Sequence, residues 1–486
     1  MAVGFFLSPF ILHRLGNLTF GIWVLSISVI GYMSLLDLGM QNSVLRFVSK
    51  GYTQNDHEGA SEIFSAALWI RLQISPLVLL LSLGIAYAFP YIFKVPPELA
   101  GDARIAVVLI GITASISMLI GVFGGVLSAL NRYDLQNLVI LGQTAIRVTG
   151  VVLVLRSGHG IVAIAACELA AGLSGNLVLV WIARRLYPAL RIQLKVPRKE
   201  TLKKIWSYSV YVFLTGIAVQ LVYQTDNIIV GAFVSTSAVT YYAIANNLIR
   251  YATQVIRSLS TAFVPAASTY EAEGNTDGLL MLYKNGTRAM VMVSLPMMVT
   301  LIFRGSTFIG LWMGPQYSHR SGVVLIILSV GLLLSFANFT GGSIAFGIEK
   351  HKPVAIVSIC EGVFNLVLSV ILARRYGLYG VAIGTLIPSV AAQLLFWPLY
   401  MSRLVGLSSF DIVARIWAPM YLAAIPFAAA SYMMDRFFPA HNLPIFFLQV
   451  LATLPVFFIM VALIFRTYVR SQVIPRLRSL VAVRGN

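Results

Sequence analysis

The sequence predicts an all-α polytopic membrane protein of about 14 transmembrane helices: two six-helix lobes related by a parallel pseudo-two-fold repeat, followed by two C-terminal helices. Three observations predict this. Of 486 residues, 58% are hydrophobic and 11% charged, where an ordinary soluble domain is roughly a quarter charged. Apolar runs of about 20 residues recur along the chain, enough for a helix rising 1.5 Å per residue to cross a hydrocarbon core of about 30 Å. The second half also repeats landmarks of the first at a nearly constant spacing. No stretch is left for a soluble catalytic domain, so the chemistry is expected inside the bilayer.

In chain order the spans read 18–38, 63–93, 105–130, 138–155, 161–182, 205–233, 238–264, 289–313, 323–348, 354–373, 381–401, 412–434 and 445–465. Residues 1–12 are apolar but shorter than the roughly 17 residues that crossing takes. They also lack the preceding Lys or Arg of a signal peptide. The organisation is then an N-terminal lobe at 1–186, a basic cytoplasmic linker at 187–203, a C-terminal lobe at 204–403, and two further helices with a basic tail at 404–486.

The repeat rests on matches in order. Phe20-Gly21-Ile22-Trp23 pairs with Tyr241-Tyr242-Ala243-Ile244, and Gln54-Asn55-Asp56 with Asn275-Thr276-Asp277, both at a spacing of 221. Pro76 pairs with Pro296, Gly124-Gly125 with Gly341-Gly342, and the turn at Gly158-His159-Gly160 with that at Gly377-Leu378-Tyr379-Gly380. Six spans separate equivalent points, an even number, so the halves share one orientation, as in parallel-repeat transporters. Applied to the span at 205, the spacing puts its partner's start about 16 residues before Met1, close to one spanning length. The first span is therefore expected to begin truncated.

The formal charge of +18 is explained by topology. With both termini cytoplasmic, the inner loops and tail, with Arg415 at the inner end of its span, hold 22 of the 35 Lys and Arg, the outer loops 8, and the spans proper Arg71, Arg147, Arg250, Arg257 and Arg304. That asymmetry follows the positive-inside rule and leaves no nucleic-acid footprint. Inner basic residues include Arg184, Arg185, Lys203, Lys204 and the tail's Arg466, Arg470, Arg476, Arg478 and Arg484. Cys167 and Cys360 lie in apolar runs without metal-ligand spacing, so each reads as a buried small hydrophobe, and no metal site is expected.

Leu15-Gly16-Asn17-Leu18-Thr19-Phe20-Gly21-Ile22-Trp23, closed by Leu35-Leu36-Asp37-Leu38-Gly39, resembles the polysaccharide flippases of bacterial O-antigen and exopolysaccharide pathways. Thr225-Asp226-Asn227-Ile228-Ile229-Val230-Gly231 and Tyr241-Tyr242-Ala243-Ile244-Ala245 carry the resemblance into the second half. It spans the whole chain, with loose motifs partly shared by multidrug exporters and lipid II flippases. The resemblance implies two six-helix lobes around a cavity in the bacterial inner membrane. It also implies transport of a lipid-linked oligosaccharide, alongside polysaccharide assembly proteins, by alternating access.

Nine ionisable residues fall within spans, the five arginines with Asp37, Glu168, Asp226 and Glu361. Each costs about 2.5 to 3.5 kcal/mol on insertion scales unless paired or wet. Asn247, Arg250, Gln254, Arg257 and Thr261 recur at steps of three or four and share a helical face. Gln220, Gln224 and Asn227, with Asp226 beside them, make a second stripe. Such polar faces should meet protein or water rather than lipid. Arg250 and Arg257, with Arg147, suit the pyrophosphate of an undecaprenyl-diphosphate carrier, because guanidinium forks bind phosphate bidentately. The bland reading is internal pairing, of Arg250 or Arg257 with Asp226 and of Arg147 with Glu168 or Glu361. Arg71 and Arg304 lie nearer span ends, within snorkelling reach of the interface.

Asp226, Glu168 and Glu361, the last one turn from Asn365, are candidates for proton or sodium coupling, and no organic cofactor is implied. The glycine pairs suit close helix packing. Two other functions stay open: an exporter of small organic cations on the same fold, disfavoured by the excess of intramembrane Arg over carboxylates, and a membrane polysaccharide polymerase or ligase. The latter needs a catalytic outer loop, and the longest outer connector, 94–104, offers only Glu98 and Asp102 beyond its two cations.

Overall fold

The computed structural model describes residues 2–464 except 194, 204, 207–212, 214, 215, 218, 219, 222 and 223. Lys204 and the basic tail from Arg466 to Arg484 lie outside the described residues. Within them no strand occurs, and ten helical stretches are long and apolar enough to cross a membrane.

The chain begins with α1 (Ala2–Gly31), broken at Gly16, whose φ of 78° and ψ of 169° only a residue without Cβ adopts freely. A 3-10 turn, Tyr32–Asp37, leads through left-handed Leu38 and Gly39 into α2 (Met40–Thr53). Then follow α3 (His57–Ile92), α4 (Pro97–Ala129), α5 (Tyr133–Arg156) and α6 (Ile161–Leu186). Pro97 suits the first turn of α4 because its missing N–H would have no helical partner there. After the linker, α7 (Thr225–Ile229) runs through a π-helical turn into α8 (Thr236–Ser260) and α9 (Phe263–Ala272). Next come α10 (Thr276–Met313), α11 (Pro315–Gly347) and α12 (Lys352–Ala391), which turns at Gly377 and continues into α13 (Trp397–Val405). Two helices close the described chain, α14 (Ala418–Phe437) and α15 (Leu443–Ile464).

Two of the ten apolar stretches, Val3–Thr53 and Lys352–Val405, hold 51 and 54 residues, far more than the roughly 20 that one crossing uses. Both contain a glycine break, at Gly16 and Gly377, and the second joins two runs each long enough to span. By contrast α8 is not among the ten, since its polar stripe lowers its mean hydropathy.

The repeat is visible in the backbone. Left-handed residues recur in pairs: Asn55 with Gly274, Lys94 with Gly314, Asn131 with Glu349, and Gly158 with Gly377. These spacings run from 218 to 220. The caps match too, for Asp56 accepts from the Gly59 amide to start α3 and Asn275 accepts from the Gly278 amide to start α10. This corrects the pairing of Asp56 with Asp277: the equivalent residue is Asn275, because the capping carboxyl or amide oxygen defines the helix start.

Contacts divide the chain into two compact units. The first runs to Thr240 and takes in Ala373–Leu378; the second holds Tyr241–Leu372 and the described residues from Tyr379 on. These units are defined by contacts, whereas the lobe boundaries expected at 186 and 204 come from the sequence repeat. Thus α7, a second-half element by sequence, groups with the first unit, and α14 and α15 group with the second.

In the first unit Val44, Val48, Phe64, Ala67, Val126 and Leu127 form a fully buried cluster. A Cβ on Gly125 would press on Val44 and the Gln41 carbonyl. In the second unit Tyr283, Leu295, Ile344, Met401, Trp417, Phe427 and Phe457 fasten α14 and α15 to α10, and Gly341 lies against Met401 and Trp397. Both glycine pairs thus serve close packing. The linker is stitched to α3, with the Arg191 and Gln193 amides donating to the Ser61 and Ser65 hydroxyls at 3.0 and 2.9 Å. Cys167 is half-buried, but Cys360 is exposed, contrary to the expectation of burial. Its helix also exposes Ile356, Phe364 and Val367, so a small apolar thiol suits that surface.

Candidate functional site

The strongest sequence candidate is α8, which the structure describes as two-faced. Leu248, Ala252 and Ile256 are buried along one side, at the spacing of a packed helical stripe. Arg250, Gln254 and Arg257 are exposed on the other, and Asn247 is half-buried above them. The apolar side anchors the helix in the second unit, so the two guanidiniums are presented by a fixed scaffold rather than a loop.

The second unit also holds Glu361. Ser389 is its hydrogen-bond partner, and among the described residues no cation pairs with it. One turn on, Asn365 is buried and its side-chain oxygen accepts from Ser369 at 2.8 Å and Thr385 at 3.3 Å. The Ser369 hydroxyl also reaches the Val381 carbonyl at 3.2 Å. This buried polar cluster joins the two arms of α12 on either side of Gly377.

In the first unit, Arg147 on α5 and Glu168 on α6 form an ion pair at 2.8 Å, with 41% and 23% of their side chains exposed. Nearby, Asn176 donates to Ser117 at 3.1 Å, and Gln143 packs on Gly175. Of the two partners considered for Arg147, Glu168 is the one it meets. The pair is neither sealed in the core nor free in solvent.

The second polar stripe meets α1. Gln220 donates to the Gly31 carbonyl at 3.1 Å and to Ser34 at 2.7 Å, Tyr32 bonds Thr225, and Asn227 donates to Ser28 at 3.1 Å. Gln224 packs beside Gly31, and Asp226 and Asn227 are buried. Past α7, Thr236 and Thr240 donate to the carbonyls of Phe93 and Asn17, both at 2.6 Å. In this arrangement the amides of the stripe serve helix-to-helix hydrogen bonding.

Arg71 and Arg304 depart from expectation. Neither snorkels, since their side chains are 2% and 0% exposed. Arg71 pairs with Asp37 and donates to the Met118 carbonyl at 2.8 Å. Arg304 pairs with Asp435 at 3.3 Å, donates to Gln449, and stacks its guanidinium 4.7 Å from the Phe446 ring centre. Desolvated guanidiniums need such partners, because an unpaired buried charge is strongly destabilising. Sequence reasoning missed Asp435 and Gln449, which lie more than 100 residues away; the only local signal was a carboxylate at the end of an apolar run.

The sequence model of the polysaccharide biosynthesis protein family matches residues 11–322. Among known proteins, the chain is 25% identical to the uncharacterized membrane protein EpsK of Bacillus subtilis over 86% of this chain and 83% of that protein. It is 22% identical to a putative O-antigen transporter of Shigella flexneri, over 80% and 92%. Among solved structures, the lipid II flippase MurJ superposes with a TM-score of 0.77 at 16% identity, covering 96% of this chain and 97% of MurJ. A MATE-family multidrug transporter of the MOP superfamily, facing inward, gives 0.69 at 17% identity, over 80% and 94%. The family match over more than half of the chain makes this chain a member of the polysaccharide biosynthesis protein family, with the fold that MurJ and MATE-family proteins share.

Proposed function

We propose that the chain is a flippase that moves a lipid-linked oligosaccharide from the cytoplasmic to the outer leaflet of the bacterial inner membrane, for surface polysaccharide assembly. The observation that carries this reading is the arginine face of α8, held out from an apolar anchoring side in a family of membrane transporters. Arg250 and Arg257 would grip the diphosphate of an undecaprenyl carrier, with Asn247 and Gln254 adding hydrogen bonds. Arginine suits this because its charge persists in a dry site and its fork matches phosphate oxygens. In the first unit, Arg147, by exchanging Glu168 for phosphate, and Gln224 and Asn227 are separate candidates for contact with the cargo. The names of the Shigella O-antigen transporter and of MurJ support a saccharide-bearing lipid as cargo.

Coupling to a proton or sodium ion falls to Glu361, whose only described partner is a hydroxyl, with Asp226 and Glu168 as further candidates. Orientation follows the charge asymmetry, with the C-terminus cytoplasmic, and polysaccharide assembly proteins are the expected neighbours. The MATE-like fold keeps an exporter of organic cations in view, but two exposed guanidiniums repel such a cargo.

The test is deletion of the gene followed by location of lipid-linked repeat units. Build-up on the cytoplasmic face is expected. Unpolymerised units on the outer face would point to a polymerase instead, and drug sensitivity with normal polysaccharide to an exporter.

A further inference from the structure

The last two turns of α6 carry a feature that transport does not use. Leu177, Val180, Trp181, Arg184 and Arg185 fall at the three- and four-residue steps of one helical stripe and line a groove of about 490 Å³ on the surface of the first unit. Leu177 and Trp181 are 67% and 59% exposed. The opposite side of the same turns is core: Ala183 is buried and Leu179 packs with it. The stripe is therefore fixed in place by packing behind it.

Its chemistry changes along its length. Leu177 and Val180 are aliphatic, Trp181 is amphipathic, and Arg184 and Arg185 close the helix with two charges. The Arg185 guanidinium lies 5.4 Å from the Trp181 ring centre, which orients it over the indole rather than leaving it loose. Among the described residues no carboxylate pairs with Arg184 or Arg185. This order, aliphatic then indole then guanidinium, is the order of a leaflet from acyl chains through the glycerol level to phosphate, where tryptophan concentrates and arginine reaches outward.

We propose that this groove is a binding site for an anionic glycerophospholipid. Its phosphate sits between Arg184 and Arg185, its glycerol level lies against Trp181, and an acyl chain runs along Leu177 and Val180. Charge selects the occupant. A zwitterionic lipid would bring its ammonium up to two unpaired guanidiniums, whereas an anionic headgroup adds no cation. The groove opens on the surface, so the abundant lipids of the leaflet fill it rather than the scarce cargo. The assignment does not depend on the flippase reading.

The experiment is native mass spectrometry of the purified, delipidated full chain titrated with phosphatidylglycerol or phosphatidylcholine. With each basic residue near a membrane surface favouring anionic lipid, the two together predict roughly a thirtyfold preference for phosphatidylglycerol. Arg184→Gln with Arg185→Gln should abolish the preference, while Arg184→Lys with Arg185→Lys keeps part of it, since charge remains but the fork is lost. Trp181→Leu, which preserves apolar volume, should weaken retention of both lipids. A monodisperse size-exclusion profile shows that each variant is folded. Equal retention of the two lipids by the wild type overturns the site, as does a preference that survives the double Gln variant. Displacement of phosphatidylglycerol by an equimolar polyprenyl diphosphate also overturns it, in favour of a cargo entry site.

Discussion

The arginines of this protein divide into two populations. Arg71 and Arg304 are sealed among helices, each with a carboxylate and a further acceptor. Arg250 and Arg257 stand exposed on a helix whose other side is core. All four sit in runs apolar enough that their insertion must be offset, and the structure does so in two ways. The buried pair satisfies the charge within the protein, so its loss is felt as stability. The exposed pair sits at the surface of its helix, where the proposed reading gives it cargo to hold. Arg147 lies between, with a carboxylate partner but substantial exposure.

The largest expected effect breaks the first population. Arg304→Met leaves Asp435 with only the Thr307 hydroxyl and no cation, takes the donor from Gln449, and should destabilise the second unit by about 3 to 5 kcal/mol. Thermal unfolding in detergent checks it, and Arg304→Met with Asp435→Leu should recover much of the loss. An unchanged transition in the single variant would remove the distinction between the two populations.

A second substitution probes backbone approach rather than charge. A Cβ on Gly21 would overlap the Thr236 carbonyl, which is backbone and has little room to give. Gly21→Ala should therefore cost about 1 to 3 kcal/mol, read by the same unfolding measurement. Gly84→Ala, at a glycine with open space around it, is the control and should not destabilise.

Smaller again are the caps of the repeat. Asp56→Ala and Asn275→Ala should each cost about 1 kcal/mol, because each removes the acceptor of one helix-starting amide. Similar losses in the two variants would sharpen the equivalence of these positions; a loss in only one would break it.

The smallest effect sharpens the intermediate case. In a double-mutant cycle of Arg147→Gln and Glu168→Gln, the coupling energy should fall within about 0.2 to 1 kcal/mol, as for partly solvated pairs. A coupling several times larger would put Arg147 with the buried population and take it out of the cargo site.

What could be read beforehand was whatever is local or periodic. Span positions follow from apolar length, the two-faced character of α8 from its three- and four-residue steps, and the repeat from ordered turn residues. The packing role of Gly125 and Gly341 was also within reach, whereas for Arg147 only the pair of candidates Glu168 and Glu361 was, and the fold chooses Glu168. The partners of Arg304 were not, because only the folded chain brings α10 beside α14 and α15. The attachment of Gln220 and Asn227 to α1 was hidden for a related reason. An amide stripe looks the same from sequence whether it meets water or the carbonyls and hydroxyls of another helix. The break at Gly377 was legible as a turn between spans, and that at Gly16 as the gap before the span at 18, because glycine takes positive φ freely.

The central claim is that the α8 face holds cargo rather than structure, and one measurement bears on it most directly. Surface polysaccharide is quantified in cells carrying Arg250→Ala with Arg257→Ala, beside the double Lys variant, with membrane abundance and unfolding temperature measured for both. The account predicts loss of polysaccharide in the Ala variant and partial recovery with Lys, with both variants present in the membrane at wild-type abundance. Wild-type polysaccharide from a stable double Ala variant would contradict it.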